Sequence, residues 1–132
     1  MTIRMKRIDH FVLKVNDIEE TCDFYRRVLG MEILRFGQGR TALRFGDHKI
    51  NLHPRDQGPG LVARAPSIGG GDFCLITDTP IAEVVRHLEA EKVKIVEPPS
   101  TRSGALGPIT SVYFRDPDGN LVEVSNYEAN NS

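Results

Sequence analysis

Residues 8 to 15, Ile-Asp-His-Phe-Val-Leu-Lys-Val, alternate apolar and polar positions and favour β structure, which predicts a strand. Asn16-Asp17 ends it. Asp17 followed by Glu20 forms a capping-box-like start, with carboxylates where a helix N-terminus favours them. Ile18, Cys22, Tyr25 and Leu29 then recur on one helical face, flanked by Thr21, Phe24 and Val28. Gly30 is a natural left-handed stop, so the helix is predicted over 17–29. Strands are predicted at 31–36, 40–45 and 49–53, the last two separated by the turn signal Gly46-Asp47.

The pattern vanishes between Pro54 and Gly71, where three prolines and five glycines occur, and this stretch reads as a linker. It then restarts. Asp72 to Thr77 reads as a strand, and Thr79-Pro80 as an N-cap with proline in the first helical position. Ile81, Val84, Val85 and Leu88 mark a helix ending near Glu91, followed by a strand at 93–97. Pro98 to Pro108 reads as a second Gly/Pro loop carrying Arg102. Strands at 109–114 and 121–125 flank Asp116-Pro117-Asp118-Gly119-Asn120, whose proline and Asp-Gly supply turn geometry. Glu128 to Ser132 reads as a frayed tail.

The two halves register. An offset of 62 aligns His10 with Asp72, Phe11 with Phe73, Leu13 with Leu75 and Ile33 with Ile95, while an offset of 72 aligns Asn51-Leu52 with Glu123-Val124. Gly30 falls on Lys92, so the second helix must end without a glycine. The expectation is one domain over 1–132, with repeat 1 at about 7–53, linker 54–71 and repeat 2 at about 72–127. The fold class is α+β: two tandem β-α-β-β-β units forming a curved mixed sheet around a cavity, a helix on the opposite face of each. Strand alternation puts Phe11, Leu13, Val15, Val122 and Val124 on the helix side. It leaves Ile8, His10, Val12, Leu121, Glu123 and Ser125 facing the cavity.

Composition narrows the function classes. Apolar content of 39% and charged content of 27% are those of an ordinary globular chain. With 17 basic against 18 acidic residues there is no basic excess to drive nucleic-acid binding. No stretch has the length of a membrane span, and Met1 to Lys6 has no signal-like apolar run, so a cytoplasmic protein is expected. Cys22 and Cys74 lie in apolar patterns and read as buried free thiols. P-loop, dinucleotide-binding, metalloprotease and nucleophile-elbow motifs are missing.

Asp9-His10 opening a strand, Asp23-Phe24-Tyr25 with Leu29-Gly30-Met31, and the run Phe114 to Glu123 together resemble the vicinal oxygen chelate superfamily, which includes glyoxalases, bleomycin-resistance proteins and dioxygenases. The resemblance covers about residues 6–127. Lys49-Ile50-Asn51-Leu52-His53, Arg102-Ser103-Gly104-Ala105 and Ser125-Asn126-Tyr127 are most similar to its glyoxalase-domain-containing protein 5 group. The resemblance implies four symmetry-related ligand positions, which here hold His10, Asn51, Asp72 and Glu123.

His10 is then a metal ligand or a satisfied core histidine, and Glu123 a metal ligand, a catalytic base or a salt-bridge partner. Asp72 is an oxygen ligand or a turn residue after three glycines. Asn51 binds metal weakly at best and is assigned to substrate. His53, in the same strand phase, is a second imidazole, a proton shuttle or a rim residue. Tyr113 reaches substrate or merely fills space, and Arg102 clamps an anionic substrate or is solvated.

The implied cofactor is a divalent metal (Mn, Fe, Ni, Co, Mg or Zn). The implied activity is a metal-dependent lyase, isomerase or dioxygenase acting on a small oxygen-rich metabolite. The alternative is a metal-free binding protein of the bleomycin-resistance type. A homodimer is expected, and neither nucleic acid nor membrane is an expected partner.

Overall fold

The structure is a computed structural model that describes residues 2–128, so residues 129–132 of the expected tail lie outside the described residues. The chain divides into two compact units, Met1–Ile68 and Gly69–Ser132. Each contains one helix and one four-stranded mixed sheet.

In the first unit, β1 (His10–Val15) leads into α1 (Ile18–Leu29), then β2 (Glu32–Phe36), β3 (Arg40–Phe45) and β4 (His48–Pro54). The strand order is β1-β4-β3-β2, with β1 parallel to β4 and the other neighbours antiparallel. Local chemistry sets the ends of α1. The Asp17 side chain accepts the Glu20 backbone N–H at 3.0 Å, and Gly30 closes the helix at φ 68°. That backbone conformation is costly for a residue with a Cβ. Thr21, Cys22, Phe24, Tyr25 and Val28 are buried on the inner face of α1. Leu13, Val15, Leu43, Ile50 and Leu52 complete the core on the facing side of the sheet.

The second unit repeats the plan with β5 (Asp72–Ile76), α2 (Ile81–Ala90), β6 (Ile95–Gly104), β7 (Gly107–Arg115) and β8 (Leu121–Tyr127). Its order is β5-β8-β7-β6, with β5 parallel to β8. Val84, Leu88, Val112, Phe114, Val122 and Val124 form its core. The turn before β8 is built on Asp116, which is 5% exposed. Its carboxylate accepts the backbone N–H groups of Asp118 and Asn120 and the Asn120 amide. Asn120 in turn accepts the Gly71 N–H at 2.6 Å, tying the turn to the start of β5.

Three details differ from the sequence reading. Helix α2 starts at Ile81, not at Pro80, and no neighbouring side chain caps it. The cap comes from β8: the Asn126 Oδ1 accepts the Ile81 N–H at 2.8 Å, while its Nδ2 donates to the carbonyls of Thr77 and Thr79. The expected strand at 93–97 is longer, and the expected loop at 98–108 is a β-hairpin, so Arg102 lies on a strand. Proline is tolerated because β6 is an edge strand, and Pro98-Pro99 coincides with the break in register between Glu97 and Ser100. Cys22 is buried as expected, but Cys74 is exposed, because strand alternation turns it away from α2. As anticipated, α2 ends without a glycine, and Lys92, just past the C-cap Glu91, takes the left-handed region at φ 60°.

Candidate functional site

Cross-strand register determines which side chains share a face. In the second sheet, Cys74 pairs with Glu123, Glu123 with Tyr113, and Tyr113 with Glu97. One step along lie Ile76, Ser125, Ser111 and Ser100, and one step back lie Asp72, Leu121 and Arg115. All project from the face opposite the one carrying Val122 and Val124. The phase of Tyr113 is therefore settled: it shares a face with Glu123.

This face carries a continuous hydrogen-bond chain. Ser111 donates to Glu123 Oε2 at 2.6 Å. Ser111 and Ser125, both fully buried, are 2.6 Å apart, and Cys74 Sγ lies 3.2 Å from the Ser125 hydroxyl. Ser111 donates to Glu123, the Ser125 hydroxyl also lies 3.5 Å from Glu123 Oε2, and in the Ser111–Ser125 and Cys74–Ser125 pairs either atom can donate. The chain ends at the carboxylate. Although Cys74 as a residue is exposed, partial desolvation of its sulfur on the sheet face pushes the thiol up, and the Glu123 charge adds to that effect. Tyr113 is also pushed up, first by burial and then by hydrogen bonding and charge at Glu123, so the phenol keeps its proton at neutral pH. The Arg102 guanidinium lies 5.4 Å from the Tyr113 ring centre, and it approaches Glu97 at 3.9 Å.

The first sheet repeats the arrangement with different chemistry. Val12, Asn51, Ala42 and Leu34 form the row occupied in the second sheet by Cys74, Glu123, Tyr113 and Glu97. Asn51 therefore holds the place of Glu123, and His10 that of Asp72, matching the two offsets in the sequence. Asn51 is 5% exposed, and among the described residues its Oδ1 has no hydrogen-bond partner. The His10 side chain is 43% exposed, so it is not a core histidine, and its Nδ1 lies 2.8 Å from Asp9 Oδ1. That contact holds Asp9 below the usual carboxylate range. His53 shares the face, opposite Lys14, and its pKa is lowered by burial and then by the charges of Arg40 and Lys14.

The glyoxalase/bleomycin resistance protein/dioxygenase superfamily model matches residues 7–124. The chain belongs to this superfamily. The virulence protein STM3117 of Salmonella typhimurium is 50% identical over 121 residues, covering 92% of this chain and 84% of that protein. The glyoxalase domain-containing protein RDO1 of Mycosarcoma maydis is 44% identical, covering 96% of this chain and 71% of that protein. A solved integron cassette protein of V. cholerae superposes with a TM-score of 0.95 at 48% identity, covering 97% of this chain and all of that one.

Seen within the glyoxalase superfamily, the nominated residues fall into two groups. Asp72, Tyr113, Glu123 and Arg102 share the open face of the second sheet, and His10, Asn51 and His53 that of the first. Among the described residues, no three His, Cys, Asp or Glu side chains are gathered to hold a metal ion. A carboxylate hydrogen-bonded to Nδ1, as Asp9 is to His10, leaves Nε2 for a metal and fixes the ring. Glu123 is oriented by hydroxyls, and among the described residues no lysine or arginine is paired to it. Sequence reasoning missed Ser111, Cys74 and the hydroxyl chain. The inward phase of Ser125 was the one available signal.

Proposed function

We propose that the chain is a metal-dependent enzyme of lyase, isomerase or dioxygenase type that acts on a small, oxygen-rich metabolite. The observation carrying this reading is the Glu123 carboxylate, half-buried on an open sheet face and oriented by the buried Ser111 hydroxyl at 2.6 Å. A carboxylate held on an open face by hydroxyls, with no lysine or arginine paired to it among the described residues, is free to meet a cation or a substrate proton.

In this reading His10 on the first sheet, and Asp72 and Glu123 on the second, are the candidate ligands for a divalent ion, one of Mn, Fe, Ni, Co, Mg or Zn. Such an ion supplies polarisation of a substrate carbonyl and stabilises charge developing on oxygen. Glu123 accepts a proton from the substrate carbon, and Ser111 balances the changing charge at Oε2. Tyr113 remains a phenol and donates to a substrate oxygen. Arg102, braced over the Tyr113 ring, receives negative charge, and Asn51 and His53 are the candidate substrate contacts of the first sheet. The working form is a homodimer. The exposed Ile3, Met5 and Ile8 supply apolar surface for association.

One observation favours a second reading, a metal-free binding protein of the bleomycin-resistance type. The position equivalent to Glu123 in the first sheet holds the neutral amide of Asn51. The two readings separate in a proton-exchange experiment. The metal-reconstituted protein is incubated in D2O with small 2-oxo and 2-hydroxy compounds, and deuterium entry at carbon is followed by NMR. The enzyme reading expects exchange that Glu123→Gln slows by roughly a hundredfold or more. Oxygen uptake in the same mixtures marks dioxygenase chemistry. Saturable binding with neither exchange nor oxygen uptake would leave the binding protein.

A further inference from the structure

Glu97 and Arg102 are five residues apart on β6, a spacing that puts side chains on opposite faces of a regular strand. Pro98-Pro99 breaks the register between Glu97 and Ser100, and beyond the break Ser100 and Arg102 return to the face that carries Glu97. Glu97 pairs with Tyr113, Ser100 with Ser111 and Arg102 with Ile109, all on the open face of the second sheet. The two long side chains converge there. The Arg102 guanidinium lies 5.4 Å from the centre of the Tyr113 ring and meets Glu97 Oε1 at 3.9 Å. Three carboxylates, Asp72, Glu97 and Glu123, share this face with Arg102 and Arg115, and Arg115 donates to the Gly119 carbonyl in the turn.

The Arg102–Glu97 pair is a weak one. Its side chains are 46% and 48% exposed, and water screens ion pairs at such positions. The carboxylate of a bound molecule, forked onto the guanidinium through two hydrogen bonds, is the stronger partner. When Glu97 is displaced, the face of the Tyr113 ring still attracts the cation and keeps it in place. Glu97 nevertheless remains beside the site and repels whichever anion replaces it. That repulsion grows in proportion to the charge of the ligand, so a dianion loses more to Glu97 than a monoanion does.

The structure assigns Glu97 the role of a charge filter: it holds Arg102 in the free protein, yields to a single carboxylate, and discriminates against doubly charged ligands such as phosphate groups. The ligand this face favours is a monocarboxylate. That such a monoanion is the substrate rests on the enzyme reading above. The filter itself rests on the second sheet alone.

The test titrates the full-length, metal-free protein, labelled with 15N, separately with acetate and with inorganic phosphate, at low ionic strength and at a pH where phosphate is a dianion. The backbone amides of Arg102 and Tyr113 are followed, with His87 on α2 as the reference. Saturable shifts with acetate are expected at Arg102 and Tyr113 but not at His87, and Arg102→Gln abolishes them. Glu97→Gln strengthens acetate binding roughly two- to fivefold, and phosphate binding by about the square of that factor, because the repulsion removed doubles with the charge. The sign of the change separates a filter from a brace: a Glu97 that merely held Arg102 in position would, when lost, weaken the binding of both anions. Both substitutions alter half-exposed side chains of an edge strand, and circular dichroism confirms folding. No saturable acetate binding in either protein, undiminished binding in Arg102→Gln, weaker or unchanged binding in Glu97→Gln, or equal gains for the two anions would overturn the proposal. Neither metal nor turnover enters the measurement, so failure here leaves the metal-dependent reading standing, and success does not depend on it.

Discussion

Ser111 on β7 donates to the Glu123 carboxylate on β8 at 2.6 Å, although the two residues are not direct cross-strand partners. The serine sits one step along the strand, opposite Ser125, and reaches diagonally. This orients one oxygen of the carboxylate and extends its hydrogen bonding through Ser125 to Cys74. Ser111→Ala removes a fully buried donor to a charged acceptor. Thermal or urea unfolding is expected to show a loss of about 1.5–3 kcal/mol. Unchanged stability would mean that water replaces the serine.

The same chain predicts the reactivity of Cys74. Its pKa is raised by partial desolvation of the sulfur and further by Glu123, so less thiolate exists at pH 8 than for an ordinary cysteine. Alkylation by iodoacetamide, located by peptide mass spectrometry, should be slower at Cys74 than at a free thiol and should accelerate only at higher pH. Glu123→Gln removes the negative neighbour and lowers the pKa, so the variant should alkylate faster at pH 8. A rate unaffected by Glu123→Gln would break the proposed link.

Asn126 joins β8 to the start of α2 through three hydrogen bonds. Asn126→Ala leaves two carbonyls and the first helical N–H without their partner. A loss of about 2–4 kcal/mol is expected by chemical denaturation, with hydrogen exchange fastest at the N-terminal turn of α2.

Two glycines with positive φ separate backbone strain from collision. A Cβ at Gly30 meets nothing within 4 Å, so Gly30→Ala should cost only the backbone term, about 1–2 kcal/mol. A Cβ at Gly69 would lie 2.5 Å from the Asp118 carbonyl at φ +81°. Gly69→Ala should therefore destabilise more than Gly30→Ala, and the paired melting curves test the order.

Features set by neighbours in the chain were legible. Asp17, Glu20 and Gly30 marked the ends of α1, and alternation put His10 and Glu123 on the faces turned away from the helices. Features set by partners far along the chain were not. The α2 cap comes from Asn126, and the hydroxyl chain requires the register of β7 against β8. Arg102 was assigned to a loop because Pro98-Pro99 hides a strand that tolerates proline only as an edge. Cys74 was taken as buried because its neighbours Phe73 and Leu75 are apolar, yet they alternate with it and point the other way.

The most direct test of the account is metal stoichiometry. The apoprotein is loaded with Mn2+, dialysed, and analysed by elemental mass spectrometry beside His10→Ala and Glu123→Gln, with circular dichroism confirming that each is folded. The account predicts that the wild-type protein retains the ion, about one per chain, and that each substitution lowers affinity at least roughly tenfold. A folded wild-type protein that retains no divalent ion across Mn, Fe, Ni, Co, Mg and Zn, or variants that bind as tightly as wild type, would contradict it.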